Sequence, residues 1–171
     1  MEWTGARYSD KPTVKASTWI DAARERVWEL VADIELMPTL SNELQSVAWV
    51  AGAHGPRTGA RFVGNNVHDV FGRWSATSQI VVCDEPREFA WAVGDPEFPS
   101  ATWRFRLRPR DGGTALTYGV QMGPGRSGLS TSIEAIPDKE QKIVFVRLRE
   151  FETAIDKTLA AIKRLAEHGV R

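Results

Sequence analysis

Residues 13–34, TVKASTWIDAARERVWELVADI, decide the fold class because a strand pattern is followed directly by a helix pattern. Thr13 to Ile20 is rich in β-branched residues and alternates between apolar and polar positions, which predicts a first strand. From Ala22 to Ile34 the apolar residues recur three and four apart, which predicts an amphipathic helix. Its buried stripe is expected to be Val27, Leu30, Val31 and Ile34. Asp21 is expected to cap this helix, and Met37-Pro38 to end it.

The rest of the chain contains six short alternating runs and then one long helical pattern. The runs are separated by Gly, Pro, Asn and Asp, which predicts consecutive antiparallel strands over 45–50, 60–68, 72–83, 88–93, 101–108 and 114–122. Arg110-Asp111-Gly112-Gly113 predicts a tight hairpin turn. Residues 138–167 predict a helix with an apolar stripe at Val144, Leu148, Phe151, Ile155, Leu159, Ile162 and Leu165.

These elements together predict an α+β fold. We expect a curved seven-stranded antiparallel sheet wrapped around the long C-terminal helix, with two short helices after the first strand. A chain of 171 residues fits one domain, expected over 13–168, preceded by an N-terminal extension over 1–12.

Charge and cysteine content exclude several function classes. The 22 basic and 22 acidic residues balance, which argues against a nucleic-acid partner. The first residues lack the apolar run of a signal peptide and no stretch is apolar enough to span a membrane, so we expect a cytoplasmic protein without stable membrane insertion. Cys83 and three histidines lack the spacing of a zinc site, so neither a metal nor a cofactor is predicted.

The stretch IDAARERVWELVADI at 20–34 resembles the start of the SRPBCC (START-like, helix-grip) superfamily, especially its polyketide cyclase/dehydrase-like branch. Further fragments resemble that branch in the same order, namely GARFVGNN at 59–66, RWS at 73–75, EPREF at 85–89, TWRF at 102–105 and GGT at 112–114. The resemblance implies a helix-grip fold with a deep cavity between the sheet and the last helix, used for hydrophobic small molecules. Chemistry has to be inferred from the site, because one fold hosts many functions.

Strand alternation nominates residues for the cavity wall, because residues two apart share a face of the sheet. The predicted ligand-binding residues are Phe62, Asn66, Trp74, Ser78, Trp91, Trp103 and Tyr118. Val82 is expected on the same inward face as Ile80. His68 and Tyr118 are the candidate catalytic residues, since both side chains can move or donate protons. Plain core packing is the alternative for the apolar members, and a solvated position is the alternative for His68.

The segment Gly123-Pro124-Gly125-Arg126-Ser127-Gly128 matches the G-x-G-x-x-G pattern of dinucleotide-binding folds. It lies outside a βαβ unit, so we expect a flexible connector and a hinge at the cavity mouth instead. Phe145 lies off the apolar stripe of the last helix and is expected to contact a partner or a second subunit.

Three functions follow as hypotheses. The first is binding of a small hydrophobic or aromatic molecule, the second a polyketide cyclase/dehydrase-type enzyme, and the third a protein-interaction module or homodimer.

Overall fold

The computed structural model describes residues 1–50 and 52–169. Its strands are β1 (Thr13–Ile20), β2 (Leu44–Trp49), β3 (Arg61–His68), β4 (Gly72–Asp84), β5 (Glu88–Val93), β6 (Ala101–Arg110) and β7 (Gly113–Met122). Its helices are α1 (Arg24–Val31), α2 (Met37–Leu40), α3 (Gly128–Ala135) and α4 (Glu140–His168). The expected α+β helix-grip fold is confirmed, with two short helices after the first strand.

The seven strands form one antiparallel sheet in the order β1-β7-β6-β5-β4-β3-β2. β1 therefore pairs with the last strand, and β2 forms the opposite edge. The predicted hairpin is present, because Arg110 pairs with Gly113 and the two residues between them, Asp111 and Gly112, have φ values of 50° and 77°. Two consecutive positive φ values are what a tight hairpin turn requires.

The predicted cap of α1 is wrong. The helix begins at Arg24, its N-cap residue is Ala23, and no side chain caps it. Asp21 instead lies near the end of α4, where its backbone N–H donates to Glu167 Oε1 at 2.9 Å. The chain uses these residues to turn from the strand into the helix, so the helix starts later than the sequence pattern suggests. The predicted apolar stripe is nevertheless buried.

A β-bulge in β4 corrects the expected position of Val82. The register shifts between Ile80 and Val82, so Cys83 lies opposite Phe89, whose side chain is fully buried. Directly opposed residues share a face, and the extra residue reverses the alternation beyond it. Cys83 therefore packs against the core in the place expected for Val82.

The long helix α4 has two different surroundings along its length. Its C-terminal half buries Ile155, Leu159 and Ile162 against β1 and α1. Its N-terminal half crosses the wider, open part of the curved sheet, where Phe151 and Ala154 face a cavity. The sheet and α4 thus close on each other at one end and stay apart at the other.

Candidate functional site

A cavity of about 760 Å³ lies between the concave face of the sheet and the N-terminal half of α4. Small residues on the inner face make room for it, since Gly64 of β3 lies opposite Ala76 of β4. A Cβ on Gly64 would approach Leu44 Cδ1 to 2.9 Å, so the wall is already tight at that point. The volume is in the range of small-molecule sites.

One wall of the cavity is aromatic. The rings of Trp91 and Trp103 are nearly parallel, with centroids 6.4 Å apart, and Tyr118 lies 5.4 Å from Trp103. Phe105 stacks on Tyr118 at 4.0 Å and Phe62 lies 6.3 Å from Trp91, so neighbouring rings fix the positions of this wall. Planar apolar surfaces of this kind favour contact with flat apolar ligands.

Two buried hydroxyl groups face the same space. Ser78 is 5% exposed and Tyr118 is 7% exposed. Within residues 1–50 and 52–169 neither hydroxyl has a hydrogen-bond partner, and both hydroxyl oxygens keep surface that is accessible from the cavity. Burial raises the pKa of Tyr118, so its hydroxyl stays protonated and is available as a donor. Among the described residues the Asn66 side chain makes one hydrogen bond, a long one from its Nδ2 to the carbonyl oxygen of Gly64 at 3.4 Å. The cavity is therefore apolar with a few polar groups left to be satisfied.

One end of the cavity is bordered by four ionisable side chains, Glu43, His68, Arg147 and Glu150, which we call the charged rim. Arg147 is 8% exposed and binds both carboxylates. Its Nη2 donates to Glu43 Oε2 at 2.9 Å, and its Nη1 donates to Glu150 Oε2 at 2.8 Å and to Glu43 Oε1. Burial acts to lower the pKa of Arg147, but hydrogen bonds and charge from the two carboxylates outweigh it and raise the pKa overall.

His68 belongs to the charged rim and is held in one tautomer. Its Nδ1 accepts hydrogen bonds from the backbone N–H groups of Val70 and Phe71 at 3.1 and 3.4 Å. Its Nε2 therefore carries the proton and donates to Glu150 Oε2 at 3.3 Å. The ring also stacks on Phe71, with centroids 4.6 Å apart. Both nitrogens are engaged within the protein, so His68 is not solvated and has no free lone pair to act as a base in this state.

Three groups of the charged rim have the chemical types of metal ligands. One ligand atom each from Glu43, His68 and Glu150 lies within 4.8 Å of the others. Both carboxylates that would bind an ion already accept hydrogen bonds from Arg147. A divalent ion in this cluster would lie against a guanidinium, and the charge of Arg147 opposes that. The donor set fits an ion-pair cluster better than a metal site.

All the residues predicted for the site line the cavity. They are Phe62, Asn66, His68, Trp74, Ser78, Trp91, Trp103 and Tyr118. Sequence reasoning missed Arg147, Glu150 and Phe71. The signal for the first two was present, because Arg147, Glu150 and Ala154 are spaced by three and four on one face of α4. Phe71 lies in the β3–β4 turn, for which strand alternation gives no direction.

The N-terminal segment packs on α4. Trp3 contacts Phe145 edge-on, with ring centroids 5.1 Å apart, and Arg7 Nη1 lies 2.8 Å from Glu140 Oε2. We call residues 1–10 the N-terminal strap. Phe145, expected to seat a partner, is therefore covered by the chain's own N-terminal strap.

The N-terminal strap also reaches the cavity and the loop after β7. Tyr8 lines the cavity, and its hydroxyl donates to the carbonyl oxygen of Gly125 at 2.6 Å. The backbone N–H of Gly123 donates to Ser100 and that of Gly125 donates to Pro99, both at 2.7 Å. The loop expected to be a flexible connector is thus hydrogen-bonded to the β5–β6 loop and to the N-terminal strap.

No helix among the described residues is long and apolar enough to cross a membrane.

The family model for polyketide cyclase/dehydrase and lipid transport matches residues 11–167. The chain belongs to this family. The resemblance inferred from the sequence is thereby confirmed. Comparison with curated proteins gives no significant match.

Solved structures resembling this family member share its fold. A Polyketide_cyc-like protein of Corynebacterium glutamicum is 29% identical, with a TM-score of 0.65 and 90% of each chain covered. A Deinococcus radiodurans protein is 15% identical, with a TM-score of 0.62, covering 93% of this chain and 99% of that one. The di-domain ARO/CYC BexL from the BE-7585A biosynthetic pathway is 18% identical, with a TM-score of 0.66. The match covers 94% of this chain and 50% of BexL. The last two likenesses show the fold alone.

Proposed function

We propose that this protein binds a small, largely apolar molecule with a flat aromatic body in the cavity between the sheet and α4. The observation that carries the proposal is an aromatic-walled space of about 760 Å³ faced by the hydroxyl groups of Ser78 and Tyr118, which have no hydrogen-bond partner among the described residues. Trp91, Trp103, Phe62 and Trp74 would contact the body of the ligand. The family's lipid-transport description supports a binding role.

The buried hydroxyls provide the orienting contacts in this proposal. A hydrogen bond contributes about 0.5–1.5 kcal/mol net, so a ligand acceptor that bonds to the hydroxyl of Ser78 or Tyr118 would gain about that much. Asn66 offers an amide oxygen and nitrogen on the neighbouring wall. The ligand would therefore carry one or two oxygen acceptors on an otherwise apolar frame. We also propose that residues 13–168 form the binding domain and that the protein acts in the reducing cytoplasm expected from its single cysteine.

A cyclase/dehydrase-type enzyme is the second candidate, and the Tyr118 hydroxyl favours it. A protonated phenol in an apolar cavity can donate to a substrate carbonyl and stabilise the negative charge that develops on its oxygen during ring closure. His68 does not support this role, because both its nitrogens are already hydrogen-bonded. Tyr118→Phe separates the two functions. It would abolish turnover of a poly-β-keto substrate in an enzyme, whereas in a carrier it would change only the affinity.

Binding is tested by titrating tryptophan fluorescence with 2-naphthalenemethanol, 9-anthracenemethanol and 1-pyrenemethanol. We expect saturable quenching, because Trp91 and Trp103 form the wall. Ala76→Phe fills the cavity and should abolish the response. Thr77→Phe is the matched control, since the adjacent residue on the same strand points to the opposite face and should leave binding intact. Absence of saturable binding for all three alcohols, or equal binding by the two variants, would refute the proposed function.

A further inference from the structure

The charged rim has an excess of one negative charge. It holds two carboxylates, on Glu43 and Glu150, against one guanidinium, on Arg147. His68 adds no charge in the tautomer with the proton on Nε2, which the two backbone N–H groups that donate to its Nδ1 favour. Close by, exposed Asp69 and Lys157 also border the cavity and balance each other in charge.

The guanidinium of Arg147 is already paired with carboxylates within the protein. Both carboxylates accept from its Nη1, and Glu43 also accepts from its Nη2. The guanidinium lies over the rings of Phe151 and Phe71, at 4.4 and 5.4 Å from their centroids. A carboxylate on a ligand would therefore have to displace an internal ion pair before it met the Arg147 guanidinium.

Glu150, by contrast, has an unused acceptor. Its Oε2 accepts from Arg147 and His68, while no described residue donates to its Oε1. The side chain is 38% exposed and borders the cavity, so Oε1 is accessible to a bound molecule. A hydroxyl or ammonium group on a ligand would donate to this oxygen.

We propose that Glu150 and the charged rim determine specificity by head group, favouring ligands whose rim-facing end is a hydrogen-bond donor or a cation and rejecting carboxylates. This rests on the proposed function, since it assumes a ligand in the cavity. The deep end supplies donors, from Ser78 and Tyr118, whereas the rim supplies an acceptor. The ligand class is therefore an aromatic frame with a carbonyl-type oxygen at the buried end and a hydroxyl or amine at the rim.

The test compares three head groups on one ring system. For whichever of the naphthyl, anthracenyl and pyrenyl alcohols binds tightest, the corresponding methylammonium and carboxylate compounds are titrated by calorimetry at pH 7.5. We expect the carboxylate to bind at least tenfold more weakly than the alcohol, and the methylammonium to bind at least as tightly as the alcohol. Glu150→Gln should reduce the carboxylate-to-alcohol difference to about threefold or less, because the rim becomes neutral while its shape and the Arg147–Glu43 pair remain.

Asp156→Asn is the control, because it removes one negative charge from an exposed position of α4 that does not border the cavity. It should leave the tenfold difference intact. Equal or tighter binding of the carboxylate by the unchanged protein would overturn the proposal, as would an unchanged difference in Glu150→Gln or an equal reduction in Asp156→Asn. In each of these cases the alcohol still binds and the proposed function stands, whereas loss of binding for every compound would overturn both.

Discussion

Adding one methyl group at Gly125 should destabilise the protein, whereas the same change at Gly128 should be tolerated. A Cβ at Gly125 would lie 2.1 Å from the carbonyl oxygen of Phe98 and 2.9 Å from the carbonyl carbon of Pro99. Both are backbone atoms, so no side-chain rotation relieves the contact. To reach an ordinary separation of 3.4 Å the two loops would have to part by about 1.3 Å.

That movement breaks two hydrogen bonds of Gly125, from its N–H to Pro99 at 2.7 Å and from the Tyr8 hydroxyl to its carbonyl oxygen at 2.6 Å. Each is worth about 1 kcal/mol net, and overpacking by one methyl group costs about 1–3 kcal/mol. We expect Gly125→Ala to lower the free energy of unfolding by about 3 kcal/mol. At Gly128, the first residue of α3, the nearest atom to an added Cβ is Phe71 Cδ1 at 3.7 Å. Gly128→Ala should stay within about 0.5 kcal/mol of the unchanged protein or exceed it, because alanine favours the helix.

Equilibrium unfolding in urea, followed by tryptophan fluorescence, measures both variants under the same conditions. A loss below about 1 kcal/mol for Gly125→Ala would refute the reasoning, since the β5–β6 loop would then be free to move. Equal losses in the two variants would also refute it, because the close backbone contact exists only at Gly125. Either result would support the hinge expected from the glycine-rich sequence.

Three other changes test the site and its surroundings. Arg147→Met should lower the free energy of unfolding by about 3 kcal/mol, because it leaves two carboxylates unpaired in a partly buried place. Adding Glu43→Gln to this variant should recover at least about 1 kcal/mol, as measured by a double-mutant cycle in urea. Equal stability of the single and double variants would contradict this expectation. Burial raises the pKa of Tyr118, so the unfolded chain loses this proton at a lower pH than the folded protein does. Between pH 10 and 11 the free energy of unfolding should therefore fall by about 1 kcal/mol more in the unchanged protein than in Tyr118→Phe, as measured by urea unfolding at each pH. Parallel pH profiles of the two proteins would argue against a buried hydroxyl. Burial, and secondarily the neighbouring carboxylates, raise the pKa of the Cys83 thiol. Its reaction with Ellman's reagent at pH 7.5 should therefore be at least tenfold slower in the folded protein than in the urea-unfolded chain. A similar rate in both states would show that the thiol is exposed to water.

Much of the fold could be predicted because periodicity is a local property. The strand Thr13–Ile20 and the stripe of α1 follow from alternation and from threefold and fourfold spacing, which depend on neighbouring residues only. Alternation also placed Trp91, Trp103 and Tyr118 on the cavity wall, since no bulge interrupts their strands. The function of these residues in binding stays a prediction.

The sequence-based predictions fail where long-range contacts or backbone irregularities determine the position of a side chain. The bulge after Ile80 reverses the faces of Val82 and Cys83, and nothing in the local pattern shows it. The pairing of Arg147 with Glu43 joins α4 to the segment before β2 across 104 positions, so its existence depends on the completed fold. Tyr8 lies in a segment without periodicity, and its role appears only when the loop after β7 lies beside it.

The division of α4 into two halves has a consequence for how such a protein diversifies. Ile155, Leu159 and Ile162 hold the helix to the rest of the core, so substitutions there are limited by packing. Ala154 and Glu150 face the cavity from the other half, where a new side chain meets empty volume instead of a filled core. The same helix therefore keeps its packed positions fixed while its cavity-facing positions accept new residues. A lineage carrying this arrangement can acquire new ligand preferences by single steps that leave the fold intact.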